Sequence, residues 1–147
     1  MFDLSGKTAV VTGGYGVLGG SIADALGASG AKVAILGRSA EAAEAKVHAL
    51  RAAGVEAMAL QASVLDDDQL ASARDVAIRE WRKVDILINA AGGNLSAART
   101  DGKPPFSMSR EAFDDVIRLN LHGTVYPTMI FGEAMARESK GCVVVIS

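Results

Sequence analysis

The run Thr12-Gly13-Gly14-Tyr15-Gly16-Val17-Leu18-Gly19 narrows what this chain can fold into more than any other stretch. It follows an apolar segment, Thr8–Val11, and opens an alanine-rich pattern of helical period. A strand that passes through spaced glycines into a helix lets the backbone turn sharply and lie close to a pyrophosphate. The helix start then offers unpaired N–H groups and the positive end of its dipole to an anion. Alone, such a run fits a tight turn as well as a phosphate cradle, and its neighbours have to decide between them.

Those neighbours alternate strand and helix. Lys7–Thr12 reads as a first strand, and Leu18, Ile22 and Leu26 recur on one helical face that ends near Gly27 and Gly30. Lys32–Leu36 is continuously apolar after Lys32, as a strand covered on both faces should be. Ser39 can cap a second helix that carries Ala43, Val47 and Leu50 inward and stops at Gly54. Val55–Gln61 is a third strand whose weaker hydrophobicity suits a sheet edge. Asp66-Asp67-Asp68 starts the next helix, where carboxylates favour the dipole, and no metal site is expected there. That helix, Asp67–Trp81, turns Leu70, Ala73, Ala77 and Trp81 to the core.

Val84–Ile88 is a fourth strand that runs into Asn89-Ala90-Ala91-Gly92. Gly93–Met108 is the one long irregular stretch, expected to be a mobile loop, and loops of that length are often functional. Ser109 can cap a helix in which Phe113, Ile117, Leu121, Val125, Phe131 and Met135 keep helical spacing, with a kink expected at Pro127. Gly141 ends it, and Cys142–Ile146 is a fifth strand in which Cys142 reads as a small buried hydrophobe. Five apolar strands alternating with helices predict an α/β domain, a Rossmann-type doubly wound parallel sheet of order 3-2-1-4-5 over residues 1–147. The loops after strands 1, 2 and 4 then meet at one switch point, which favours nucleotide binding over a mere turn.

Composition excludes other classes. Half of the 147 residues are hydrophobic and the formal net charge is −2, which gives no electrostatic case for nucleic acid or an anionic membrane surface. No apolar run approaches the ~20 residues of a membrane helix. The first residues lack the pattern of a signal peptide, and one cysteine fits a reducing, cytoplasmic setting.

With these residues in view, the whole chain resembles the short-chain dehydrogenase/reductase family. The resemblance rests on Thr12–Gly19, on Asn89–Gly92, on Asn120 within Leu119-Asn120-Leu121 and on the Gly141–Ser147 segment. It implies that Thr12, Gly13, Tyr15, Gly16, Val17, Leu18, Gly19, Ser63, Val64, Asn89, Ala90, Ala91 and Gly92 surround the cofactor. It also implies that Asn120 is catalytic, holding a water in a proton relay. Two positions depart from the pattern. The middle glycine sits one place early, as in the extended branch of epimerases and dehydratases, and Ser63 stands where an acidic residue usually meets the adenine.

The cofactor's identity turns on Gly37-Arg38-Ser39. A free ribose calls for a carboxylate at the end of strand 2, and none is present. Arg38 can pair with a 2′-phosphate and Ser39 can add a hydroxyl, so NADP(H) is expected over NAD(H).

In the family, a tyrosine four residues before a lysine, together with a serine, carries the chemistry. Four residues past Tyr15 and Tyr126 stand Gly19 and Ile130, and Ser147 aligns just before the catalytic serine. The chain is therefore expected to be the N-terminal part of a dehydrogenase, inactive alone, with an exposed apolar sheet edge and helix face. The full-length protein is expected to be a homo-oligomer, a dimer or tetramer, acting on a small molecule. The runs Ile88–Asn94 and Leu119–Thr128 resemble sugar-acid oxidoreductases acting on mannonate or fructuronate. Arg99 and Lys103 are candidates to meet a substrate carboxylate, while His122 is expected to be packed or at the surface. Two alternatives stay open: an extended-type sugar-nucleotide epimerase or dehydratase, and a non-catalytic nucleotide-binding module.

Overall fold

A computed structural model describes residues 2–102 and 104–146. Lys103 and Ser147, named above as candidates, lie outside the described residues. The strands are β1 (Thr8–Thr12), β2 (Lys32–Gly37), β3 (Ala57–Gln61), β4 (Ile86–Asn89) and β5 (Cys142–Val145). The helices are α1 (Val17–Ala28), α2 (Ala40–Ala52), α3 (Asp67–Trp81), α4 (Arg110–Ile117) and α5 (Gly123–Arg137). All strand pairings are parallel and the order is β3-β2-β1-β4-β5. The expected strand order and the edge position of β3 are thus what the chain adopts.

Alternation along the strands builds two cores. Val10, Leu36, Leu60 and Leu87 face one side with Leu70 and Ala77 of α3 and Phe131 of α5. Val11, Val33, Ile35 and Ile88 face the other, against Ala23 of α1 and Ala43, Val47 and Leu50 of α2. Each such aliphatic side chain contributes about 1.5–3 kcal/mol by leaving water. The ends of the elements are set by local chemistry. Ser39 Oγ accepts from Ala42 N–H at 3.2 Å, Asp66 from Gln69 N–H at 3.0 Å and Ser109 Oγ from Ala112 N–H at 3.0 Å. The Asp66–Asp68 run therefore caps and charges the start of α3.

Asp85 ties the base of the sheet together. Its carboxylate accepts from Thr8 N–H at 2.9 Å and pairs with Lys83 at 3.0 Å. Burial pushes this carboxyl up, but the hydrogen bonds from Lys83 and Thr8 and the charges of Lys83 and Lys7 outweigh it and hold it below the usual carboxylate value.

Several side-chain expectations are corrected. Leu18 is 57% exposed, and the residues that α1 buries are Gly19, Gly20 and Ala23. Small residues let the start of α1 lie close on the sheet, while Ile22 and Leu26, as expected, pack partly buried against the second core. Trp81 is only partly buried, packed on the rim of the first core at the end of α3. Cys142 is exposed, because no described element covers β5 on its outer side. The long helix is interrupted not at Pro127, which is buried inside α5, but at a π-turn spanning Arg118–His122. The Gly93–Met108 stretch holds two short 3₁₀ turns, Ser96–Ala98 and Pro105–Ser107.

Candidate cofactor site

The loops after β1, β2, β3 and β4 meet at the carboxyl end of the sheet around a crevice of about 230 Å³. Gly13, Tyr15 and Gly16 form one side of it, Gly37 and Arg38 a second, Ala62 and Val64 a third, and Ala90, Ala91, Gly92 and Leu119 the last. Arg38 is the one charged residue among these.

Two glycines of the loop are required by close backbone approach. Gly13 has φ +64°, and a Cβ on it would stand 2.9 Å from Ala91 Cα. A Cβ on Gly19 would stand 2.5 Å from the Gly13 carbonyl oxygen, which cannot yield as a side chain could. Gly16 is the N-cap of α1, and no side chain caps that helix or places a carboxylate in its first turn. Its leading N–H groups are free of side-chain competition, which suits an anion. The shifted glycine noted in the sequence puts Val17 at the first helical position, 94% exposed.

Thr12 and Asn89 sit beneath this cradle and hold it together. Thr12 Oγ1 accepts from the N–H groups of both Ala90 and Ala91 at 3.1 Å, locking the β1 and β4 loops to each other. Asn89, 1% exposed, donates from Nδ2 to Thr128 Oγ1 at 2.8 Å and so ties β4 to α5. Both are buried, and neither lines the crevice.

Asn120 lies in the π-turn. Its Oδ1 accepts from Gly93 N–H at 2.9 Å, and its Nδ2 donates to the Gly93 and Val116 carbonyls at 2.9 and 2.8 Å. The amide pins the start of the 93–108 loop against the helix. Gly92 must be small for this, since a Cβ there would stand 2.6 Å from Asn120 Oδ1.

Of the residues named from sequence, Gly13, Tyr15, Gly16, Arg38, Val64, Ala90, Ala91 and Gly92 converge on the crevice. Val17, Leu18, Gly19, Ser39, Ser63 and Asn120 stand around it without lining it. Ser39 and Ser63 are engaged locally: Ser39 Oγ caps α2, and Ser63 Oγ accepts from Leu65 N–H at 3.2 Å. Ala62 and Leu119 line the crevice and were missed. Ala62 directly follows β3, so the rule that ligands bind at strand ends could have found it. Among the cation candidates, Arg99 is paired with Asp101 at 2.6 Å. His122 stacks on Tyr126 at 5.3 Å between ring centroids.

The short chain dehydrogenase family matches residues 7–147, and the chain belongs to that family. It is 38% identical to the Uncharacterized oxidoreductase UxuB of Bacillus subtilis (strain 168), over 99% of this chain and 55% of that protein. A Haemophilus influenza protein described as a D-mannonate oxidoreductase, solved with bound NAD, superposes with a TM-score of 0.86. The identity there is 29%, covering 91% of this chain and 52% of the other. A metagenomic short-chain oxidoreductase solved with NADP gives a TM-score of 0.84 at 30% identity, covering 98% of this chain and 63% of that one. The chain thus has the nucleotide-binding fold of an oxidoreductase family whose members take NAD or NADP, and it spans about half the length of the curated relative it matches. Among the described residues, no helix is long and apolar enough to cross a membrane.

Proposed function

We propose that the crevice binds the adenosine and pyrophosphate of NADP(H), and that residues 1–147 are the cofactor-binding domain of an enzyme interconverting a secondary alcohol and a ketone. The observation that carries this is the convergence of the glycine loop, Arg38 and Ala90–Gly92 on one crevice in which Arg38 is the only charged lining residue among the described residues. The cofactor, when bound, supplies or accepts the hydride. The chain's own residues cradle it: Gly13 and Gly19 allow backbone approach, the start of α1 faces the phosphates, and Arg38 meets the 2′-phosphate. Asn120 acts as a positioning residue, holding the 93–108 loop beside the site through Gly93.

No tyrosine in the chain has a lysine four residues on, so the 147 residues alone are expected to bind cofactor without turning over substrate. A sugar acid is the proposed substrate class. Support comes from Ile88–Asn94 and Leu119–Thr128, which resemble sugar-acid oxidoreductases, and from the Haemophilus neighbour. The exposed face of Phe113, Ile117, Leu121, Val125 and Met129 supports a homo-oligomer of the full-length protein. The single cysteine supports a cytoplasmic enzyme. The extended-branch alternative rests on the glycine spacing alone, and the family match does not favour it.

Calorimetric titration with NADPH and NADH tests the cofactor assignment. NADPH should bind at least about tenfold tighter than NADH. Arg38→Asp should weaken NADPH about 10- to 100-fold, the range of a charged hydrogen bond, and NADH less than about threefold. Equal losses for both cofactors would remove the assignment.

A further inference from the structure

Gly37 closes β2 in register with Gln61 of β3. A Cβ on Gly37 would stand 2.8 Å from both Cζ and the hydroxyl oxygen of Tyr15, so the tyrosine ring fills the space any side chain at 37 would need. The Tyr15 hydroxyl also accepts from the Ser39 N–H at 3.4 Å. The backbone beneath is fixed. Gly37 O accepts from Ala62 N–H at 3.1 Å, and Arg38 O accepts from Gln61 Nε2 at 3.3 Å. Ser39 Oγ is engaged by the cap of α2, leaving the Ser39 N–H as that residue's group toward Tyr15. Tyr15, Gly37 and Arg38 line the same crevice.

We propose, building on the cofactor reading above, that Tyr15 is a specificity-determining residue that works through Gly37. Its ring takes the place of a ribose-binding carboxylate at the end of β2. Its hydroxyl, which accepts from the Ser39 N–H, joins the Arg38 guanidinium as a donor offered to a 2′-phosphate. The glycine at 37 is kept for the ring: the Tyr15 atoms it meets are the far end of a side chain with two torsions, so a larger residue at 37 would evict the ring without breaking the sheet.

A double-mutant cycle tests this, with affinities read from the fluorescence of bound NADPH and NADH and folding from thermal melts. Tyr15→Ala and Gly37→Ala should each weaken NADPH about 5- to 20-fold and NADH less than about threefold. The double variant should be no worse than the weaker single within about twofold, because both changes remove the same seated ring. Tyr15→Phe keeps the ring without the hydroxyl. It should lose part of the NADPH affinity while keeping the full sensitivity to Gly37→Ala. Effects that multiply in the double variant would overturn the coupling. Equal losses for NADH would overturn the 2′ role, as would tighter NADPH binding by Tyr15→Ala. A wild-type chain that binds neither nucleotide would overturn the cofactor reading and this proposal together, whereas tight NADPH binding with a multiplicative cycle would remove only the Tyr15–Gly37 unit.

Discussion

Strands β1 and β5 are both short, parallel and apolar, yet they occupy opposite environments. Every residue of β1 (Thr-Ala-Val-Val-Thr) is buried, flanked by β2 and β4 and covered by helices on both faces. Every residue of β5 (Cys-Val-Val-Val) is exposed, with Val143 at 38%, Val144 at 40% and Val145 at 51%. An apolar run specifies a strand, but what covers it is a property of the whole assembly. The candidate cofactor crevice hangs from the ends of β1, β2, β3 and β4, so its geometry rests on the covered part of the sheet and owes little to β5.

The sharpest way to break that contrast is at the glycine loop. Gly19→Val puts a branched side chain against the Gly13 carbonyl, and nucleotide affinity should fall more than about 100-fold as the loop and the α1 start move apart. A variant that binds normally in a titration would show that the cradle is not where the phosphates lie.

A milder effect is expected at Asn120. Asn120→Ala removes all three amide bonds, two of them to Gly93. Hydrogen exchange in residues 93–102 should quicken about 5- to 20-fold, about the worth of one or two exposed hydrogen bonds, while NADPH affinity changes less than about threefold.

At the base of the sheet, Asp85→Asn should cost about 1–2 kcal/mol near pH 7. A carboxyl held below its ordinary value stabilises the fold above the unfolded value of 3.8, and that contribution is lost as pH falls through the lower folded value. Urea melts of the two proteins should therefore converge as pH drops below about 3.8, and a gap that stays constant with pH would contradict the ion-pair account.

On β5 the change should leave binding untouched. Val144→Lys places a charge on the exposed edge and should lower self-association in sedimentation experiments, with NADPH affinity altered less than about twofold.

The same contrast explains how much was legible in the sequence. Continuous apolar strands and a helical period between them were enough for the strand order, because right-handed crossovers leave few alternatives. The meeting of the glycine loop, Arg38 and Ala90–Gly92 around one crevice was legible because the loops of such sheets converge at the strand ends. Ile22 and Leu26 pack on the core as their spacing implies, but Leu18 does not, because the start of α1 is seated by the small Gly19, Gly20 and Ala23, which hydropathy does not rank. Cys142 was misplaced because hydropathy reports the residue and not its cover. The π-turn at Arg118–His122 was masked by a helical period that runs straight through it, while Pro127 drew the expected break downstream. The seat of Tyr15 over Gly37 is a contact between the glycine loop and the end of β2, and no local pattern announces it.

The proposed seat of the dinucleotide is the crevice at the ends of the covered strands. Amide shift mapping of the isotope-labelled chain during an NADPH titration tests it most directly. Saturable shifts are expected in Gly13–Gly19, Arg38, Ala62–Val64 and Ala90–Gly92, with Phe113, Ile117 and Val143–Val145 unmoved. Shifts centred on β5 or the α4–α5 face, or none anywhere, would contradict it.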